Sequence, residues 1–289
     1  MDATTVTLDG SNFAMLMNTY SIYNVSVSQN GKQIMRVQNI EKASADVTDL
    51  SWDNDVGTED FDMIGAASVL DLNDQRIVHQ WRNGYMKEMI FFDTVLSEAE
   101  RAAMHYYLAN KWSTSERLLL DSDSDGYADN NDYFPFDPNQ YINTPDFSDT
   151  VSENIGEAPN FESEVESNLV LWLDAKSING NNNNGYDSGN DVLQWLDLSG
   201  KGNHGVMPGN TSPEYLATDF NSLETVRFAP NSHLTLATSV LGENYTIFAL
   251  VERVQHNAQQ NIIQDGSTSL VLNVSNQGGY RLNSGGVQK

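Results

Sequence analysis

The sequence has no cysteine and few basic residues along its 289 positions. Because there are no thiols, neither a disulfide framework nor a thiolate metal site is possible. Fifteen Lys and Arg stand against forty Asp and Glu, and the formal net charge of -25 repels nucleic acid and anionic lipid surfaces. No apolar run approaches the ~20 residues that span a bilayer. The composition therefore predicts a protein that neither binds nucleic acid nor inserts into a membrane.

Apolar residues are nevertheless sufficient for a folded core, at 39% of the chain with 10% aromatics. The negative charge is concentrated in the middle of the chain. Residues 116–167 hold 14 acidic residues and one basic residue, whereas residues 1–115 hold 16 and 8 and residues 168–289 hold 10 and 6. The second half of this middle segment, residues 143–167, has no periodicity and is predicted to be an acidic, extended linker.

The two flanking segments, 1–115 and 168–289, have short alternating or apolar runs separated by Gly, Asn, Asp and Ser, which is typical of an antiparallel β protein. One helix is predicted after Ser97, because Ser97 and Glu100 form a capping box and apolar residues then recur at helical spacing up to Trp112. The predicted strands are 13–20, 23–28, 32–37, 61–66, 85–92, 169–174, 192–196, 225–228, 245–251 and 269–274.

Residues 121–132 read DSDSDGYADNND, with carboxylates at alternate positions before a glycine. These side chains repel one another unless a cation neutralises them, and calcium takes six to eight oxygen ligands from such loops. Gly126 permits the sharp turn, after which the next backbone carbonyl can turn inward as a neutral ligand. The predicted Ca²⁺ ligands are Asp121, Asp123, Asp125, Tyr127, Asp129 and Asp132, and Asp137 is a further candidate for a second ion or for capping a proline turn.

The calcium motif runs on into YFPFDP at 133–138, and residues 116–142 together resemble bacterial calcium-binding repeats of the thrombospondin type 3 kind. This resemblance implies that calcium converts a self-repelling acidic segment into a rigid strut. A second acidic cluster lacks the regular spacing and is interpreted either as another calcium site or as a solvated loop: Asp49, Asp53, Asp55, Glu59, Asp60 and Asp62.

Two other stretches share a different resemblance. Residues 84–112, GYMKEMIFFDTVLSEAERAAMHYYLANKW, are similar to the closing segment of bacterial concanavalin A-like (laminin G-like) jelly-roll domains. The motifs LVLWLDA and QWLDLSGKGNHG within 169–205 are similar to the opening segment of the same family. The resemblance implies an all-β antiparallel jelly-roll sandwich with one short helix, divided into a closing part at 1–115 and an opening part at 168–289, in reversed order.

Either part alone would leave strand edges and half a core uncovered, so the sandwich requires completion. The two parts could close on each other within one chain, as in a circular permutation, pair between successive chains in a head-to-tail fibre, or pair between tandem domains. A calcium-stiffened spacer favours pairing between chains or tandem neighbours. In any of these arrangements, Leu171 and Trp172 are expected to pack near Ile90 and Leu108.

The sequence has none of the common catalytic motifs. It lacks a strand with carboxylates two residues apart, as a jelly-roll glucanase requires, and its histidines occur singly. We therefore expect no enzymatic activity. The favoured hypothesis is an extracellular or cell-surface bacterial structural or adhesive protein that associates with itself, and the alternative is a glycan-binding module with Tyr186 and the Asn-rich loop 181–190 as its surface.

Overall fold

A computed structural model describes residues 5–7, 20–28, 32–37, 40–46, 63–65, 67–70, 76–79, 84–112, 167–209, 211–218, 223–238, 240, 244–253, 260–264, 271–274 and 280–283. Within them the strands are β1 (Thr5–Thr7), β2 (Tyr20–Val27), β3 (Lys32–Val37), β4 (Ile40–Asp46), β5 (Met63–Ile64), β6 (Ala67–Leu70), β7 (Arg76–His79), β8 (Gly84–Phe92), β9 (Leu169–Asp174), β10 (Gln194–Trp195), β11 (Gly205–Val206), β12 (Glu214–Leu216), β13 (Thr225–Phe228), β14 (Leu234–Leu236), β15 (Tyr245–Arg253), β16 (Gln260–Asn261), β17 (Ile263–Gln264), β18 (Val271–Val274) and β19 (Tyr280–Asn283).

The strands pair in antiparallel sheets, which confirms the all-β expectation. The largest sheet has the order β12-β13-β8-β15-β2-β3-β4, and β9 also pairs with β8. A second sheet has the order β10-β11-β14-β5-β17. One hydrophobic cluster contains buried side chains from both sheets, among them Phe91 and Ile247 of the first and Trp195 and Leu234 of the second. The two sheets therefore share a core.

Strand β8 lies at the centre of the large sheet and combines both halves of the sequence. It pairs with β15 along one edge, and with β13 and β9 along the other. All the side chains from Met86 to Phe92 are buried, so both faces of the strand are covered. Since β9, β13 and β15 all follow the acidic segment in the chain, residues on either side of that segment form one sheet.

This pairing confirms the expected neighbours of the opening strand. Ile90 is the cross-strand partner of Trp172, and Phe91 is the partner of Leu171. Leu108 lies in the same buried cluster as Leu171. The pairing is made within one chain, whereas the stiff-spacer argument favoured pairing between chains or tandem domains.

The predicted helix is confirmed as α1 (Glu98–Lys111). Ser97 Oγ accepts a hydrogen bond from the Glu100 N–H at 3.3 Å, and Glu100 Oε2 accepts one from the Ser97 N–H at 2.6 Å. Both halves of the capping box are thus present. The buried stripe includes Met104, Tyr107 and Leu108, and among the described residues no helix is long and apolar enough to cross a membrane.

Several strand limits differ from the sequence prediction. The predicted interruption between residues 20 and 23 is wrong, because β2 continues through Ser21 and Ile22. Of the predicted strand at 61–66 the structure describes residues 63–65, where β5 ends at Ile64 and Gly65 follows with a φ of 87°. A Cβ at Gly65 would lie 2.5 Å from Phe228 Cδ1, so the ring and the positive φ both require glycine here.

Candidate functional site

The described residues include a buried charged cluster that joins the two halves of the sequence. Lys111 Nζ lies 2.6 Å from Asp174 Oδ2 and 2.9 Å from Glu88 Oε2. All three side chains are at least nine-tenths buried. We call Glu88, Lys111 and Asp174 the buried triad.

Backbone structure fixes the position of each member of the buried triad. Glu88 and Asp174 are direct cross-strand partners on β8 and β9, so their side chains lie side by side on one face of the sheet. Lys111 is in the last turn of α1, where a positive charge also interacts favourably with the helix dipole. The Asp174 Oδ1 atom accepts a hydrogen bond from the Lys176 N–H at 2.8 Å, which holds the carboxylate in place.

Aromatic side chains complete the hydrogen bonding of Glu88. The indole N–H of Trp172 donates to Oε1 at 2.7 Å, and that of Trp112 donates to Oε2 at 2.5 Å. The Tyr107 hydroxyl donates to Oε1 at 3.1 Å and accepts a hydrogen bond from Lys111 Nζ at 2.8 Å. The Lys111 ammonium also lies 5.3 Å from the centre of the Trp112 ring, within the range of a cation–π interaction.

The net effect of burial and neighbouring charges is to raise the pKa of Glu88, of Lys111 and of Tyr107. Burial raises the pKa of Glu88, and the neighbouring Asp174 adds to that effect, against the opposing attraction of Lys111. Burial by itself would lower the pKa of Lys111, but the attraction of Glu88 and Asp174 outweighs it, so this pKa is raised. Burial, together with both carboxylates, also raises the pKa of Tyr107. The two carboxyl groups therefore hold Lys111 in its charged form.

The sequence analysis did not identify this cluster. Glu88 and Lys111 lie within stretches quoted for the closing segment, and Asp174 within one quoted for the opening segment, but they carried no assigned role. A charged residue inside an apolar or aromatic run, as in YMKEMIFF and YLANKW, was the available signal. Buried Lys and Glu side chains are rare unless they are paired.

The predicted calcium ligands, Asp121 to Asp132 and Asp137, lie outside the described residues, and so does the acidic cluster at 49–62. Within the described part of the chain, no three His, Asp or Glu side chains meet in a way that would hold a metal ion. The assignment of calcium to residues 121–137 stays a prediction from the sequence.

The glycine-rich loop after β10 is organised around Asp197. Its Oδ1 atom accepts hydrogen bonds from the backbone N–H groups of Trp172 and Ser199, both at 2.9 Å, and its Oδ2 atom accepts one from the Asn203 N–H at 2.9 Å. The Asn203 amide in turn donates to the Val170 carbonyl at 2.8 Å. These side chains cap the backbone of their own loop and also attach the loop to β9.

Asn183 anchors the Asn-rich loop considered for glycan binding to the fold, while most other residues of the loop are exposed. Asn183 Oδ1 accepts a hydrogen bond from the Ile178 N–H at 2.6 Å, and its amide donates to the Ala175 carbonyl at 2.7 Å. The Tyr186 ring is partly buried and meets Tyr215 edge to face, with the ring centres 5.8 Å apart. Tyr186 therefore offers less ring face to a ligand than an exposed platform would.

His105 is a second buried titratable group, on α1. It is 1% exposed, and neither ring nitrogen has a hydrogen-bond partner among the described residues. Burial lowers its pKa to about 4 from an ordinary value of 6.5. The folded protein therefore holds this imidazole neutral.

The pKa of His105 predicts a loss of stability in acid. Between pH 6.5 and 4 the unfolded chain binds a proton at His105 and the folded chain does not, so acidification favours unfolding by up to about 3 kcal/mol. The free energy of unfolding in urea, measured from pH 7 to 4 for the wild type and for His105→Leu, checks this. The stability difference between the two proteins should change in favour of the variant as the pH falls, and a pH-independent difference would contradict it.

Comparison of the chain with protein-family models, with curated proteins and with solved structures finds no match in any of the three.

Proposed function

We propose that the chain is a non-enzymatic, extracellular bacterial structural or adhesive protein in which a jelly-roll-like β-sandwich carries a calcium-binding acidic segment. The observation that carries this proposal is the attachment of both ends of the acidic segment to one sheet. Before the segment, Lys111 binds Asp174 at 2.6 Å, and after it, the Asn168 carbonyl accepts a hydrogen bond from the Asp93 N–H at 2.9 Å. The buried triad thus connects the two parts of the chain that flank residues 113–166.

Charge supports a solvated position for the acidic segment. Residues 116–167 carry 14 acidic residues against one basic residue, and a stretch with this composition cannot bury enough apolar surface to form a core of its own. Salt outside the cell would screen the repulsion between the carboxylates of this segment. Calcium in the same environment would occupy the predicted donor set at 121–132, which consists of hard oxygens from carboxylates and one backbone carbonyl. These properties favour a location outside the cell or on its surface.

Closure within one chain and association between chains use the same strand pairing. If β9, β13 and β15 of one copy paired with β8 of the next, every contact of the buried triad would be kept, and repeated exchange would build a head-to-tail fibre. The pairing within one chain supports the closed form as the ground state. Strand exchange at high concentration is the route by which we expect self-association.

Calcium removal tests the metal assignment. Chelation should increase protease cleavage between residues 121 and 137, because the ion holds a loop that otherwise repels itself, while the sandwich stays folded. Replacement of Asp125 by Ala should reproduce the effect of chelation. Asp149→Ala, in the acidic linker, is the matched control, and the protease should cleave it at the wild-type rate. Identical cleavage patterns with and without chelator would show that residues 121–137 bind no calcium.

Electron microscopy and sedimentation in calcium-containing buffer test the structural role. We expect monomers at low concentration and chained particles or filaments at high concentration. A globule that stays monomeric throughout, together with binding to a glycan on an array, would replace this proposal with the glycan-binding alternative.

A further inference from the structure

We propose that Lys111 and Asp174 condense into an intramolecular amide bond, with Glu88 as the catalytic acid and base. The proposal goes beyond the structural role above and does not depend on calcium, because all of its atoms lie in the buried triad. An amine and a carboxyl group are held together there, out of water, beside a second carboxyl group that can move protons.

The reacting atoms are close enough for attack. Lys111 Nζ lies 2.6 Å from Asp174 Oδ2, and a carboxyl C–O bond adds only about 1.2 Å, so Nζ lies no more than about 3.8 Å from Cγ. Productive bimolecular attack needs about 3–3.5 Å, so a small movement of the lysine is sufficient. Groups oriented in this way reach effective molarities of about 10⁵–10⁸ M, which favours condensation over hydrolysis in a site that excludes water.

Groups beside Asp174 and Lys111 are placed to stabilise the negative charge that forms on Asp174 and to accept the proton that Lys111 loses. The Lys176 N–H lies 2.8 Å from Asp174 Oδ1 and would stabilise negative charge on that oxygen in the tetrahedral intermediate. Glu88 Oε2 lies 2.9 Å from Lys111 Nζ, within reach of the proton that the ammonium must lose. Burial raises the pKa of Glu88, which makes its carboxylate a stronger base toward the Lys111 ammonium, and the proton that it takes can then pass to the departing oxygen.

The step balances without any other reactant. The Lys111 ammonium loses a proton to Glu88, the neutral amine attacks Cγ of Asp174, and a C–N bond forms. The amine loses a second proton, and the C–O bond to one carboxylate oxygen breaks as Glu88 returns protons to it. One water molecule leaves, with two of the three ammonium protons and one oxygen of Asp174, and Glu88 ends in its starting state.

The amide bond would make the connection between the two flanking parts of the chain covalent. Residues 111 and 174 lie on opposite sides of the acidic segment, so a chain cut anywhere within 113–166 would stay one molecule after denaturation. A surface protein would then keep its sandwich closed even after cleavage within the acidic segment.

Intact mass and peptide mapping of the full chain test the proposal. The wild type should weigh one water molecule less than its sequence, and digestion should release a branched peptide joining Lys111 to Asp174. Glu88→Gln should react about 10²–10⁴-fold more slowly and keep the full sequence mass. The exposed Glu98→Gln change on α1 is the matched control and should give the wild-type mass.

Lys111→Arg keeps the positive charge without a reactive amine, so it should fold and keep the full mass even if Glu88→Gln does not fold. An Asp–Gly succinimide also loses one water, and mapping of the loss to such a site would overturn the proposal. A wild-type chain that keeps its full sequence mass after prolonged incubation in the folded state would overturn it as well.

Discussion

Replacement of Lys111 by Met should lower the free energy of unfolding by at least about 3–5 kcal/mol, because removal of one partner of a buried ion pair leaves the remaining charge uncompensated. Two carboxyl groups, Glu88 and Asp174, would then lie side by side in the core without their shared cation. In a chain that carries the Lys111–Asp174 amide, the variant would lose that crosslink in place of the ion pair. Denaturant titration monitored by tryptophan fluorescence measures it.

Two further variants separate charge from packing in that experiment. Lys201→Met removes an exposed lysine and should change stability by less than about 0.5 kcal/mol. The triple variant Glu88→Gln, Lys111→Met, Asp174→Asn should recover part of the loss, since the buried charges are then gone. If Lys111→Met were as stable as Lys201→Met, the buried triad would have no structural importance.

Replacement of Trp195 by Ala should cost about 3–5 kcal/mol, the usual range for a large aromatic side chain in a core. Trp195 is fully buried on β10. Its indole N–H also donates to the Asp174 backbone carbonyl at 3.0 Å, so it connects the second sheet to the end of β9. The loss therefore combines a cavity with an unsatisfied carbonyl.

Two controls apportion the loss at Trp195. Trp195→Phe keeps most of the apolar surface and should show mainly the cost of the missing hydrogen bond, about 1–3 kcal/mol. Leu193→Ala, two residues earlier on a side chain that is 55% exposed, should be nearly neutral. Equal stabilities for Trp195→Ala and Leu193→Ala would mean that the two sheets do not share a core at this point.

Local signals made much of the fold predictable from the sequence. β3, β9 and β13 have the bounds expected from their apolar runs, and the capping box at Ser97 marks the start of α1. Each of these features is decided by residues close together in the chain. The break predicted before Tyr23 was wrong, because every residue of β2 after Ser21 is buried and the strand shows no alternation that would define its start.

The buried triad was harder to predict from the sequence, because Lys111 lies 63 residues and Glu88 lies 86 residues before Asp174 in the chain. Only the cross-strand register of β8 and β9 brings Glu88 beside Asp174. The expected packing of Leu171 and Trp172 near Ile90 and Leu108 did not specify that register, and an isolated lysine in a helix is first interpreted as a solvated charge. The pairing of Lys111 with Glu88 and Asp174 could therefore be identified only from the structure, which brings α1, β8 and β9 together.

The pairing of β8 with β13 offers the most direct test of closure within one chain. Tyr85 and Arg227 are cross-strand partners that are not fully buried, and antiparallel partners lie about 4.5–5.5 Å apart at Cα, within the range of a disulfide. The native chain has no cysteine, so in the double variant Tyr85→Cys, Arg227→Cys the only thiols are the two introduced. Oxidation of the folded variant at low concentration, where we expect monomers, should give a single disulfide-linked monomer with no free thiol. A ladder of disulfide-linked chains, or two thiols that stay free, would contradict closure within one chain.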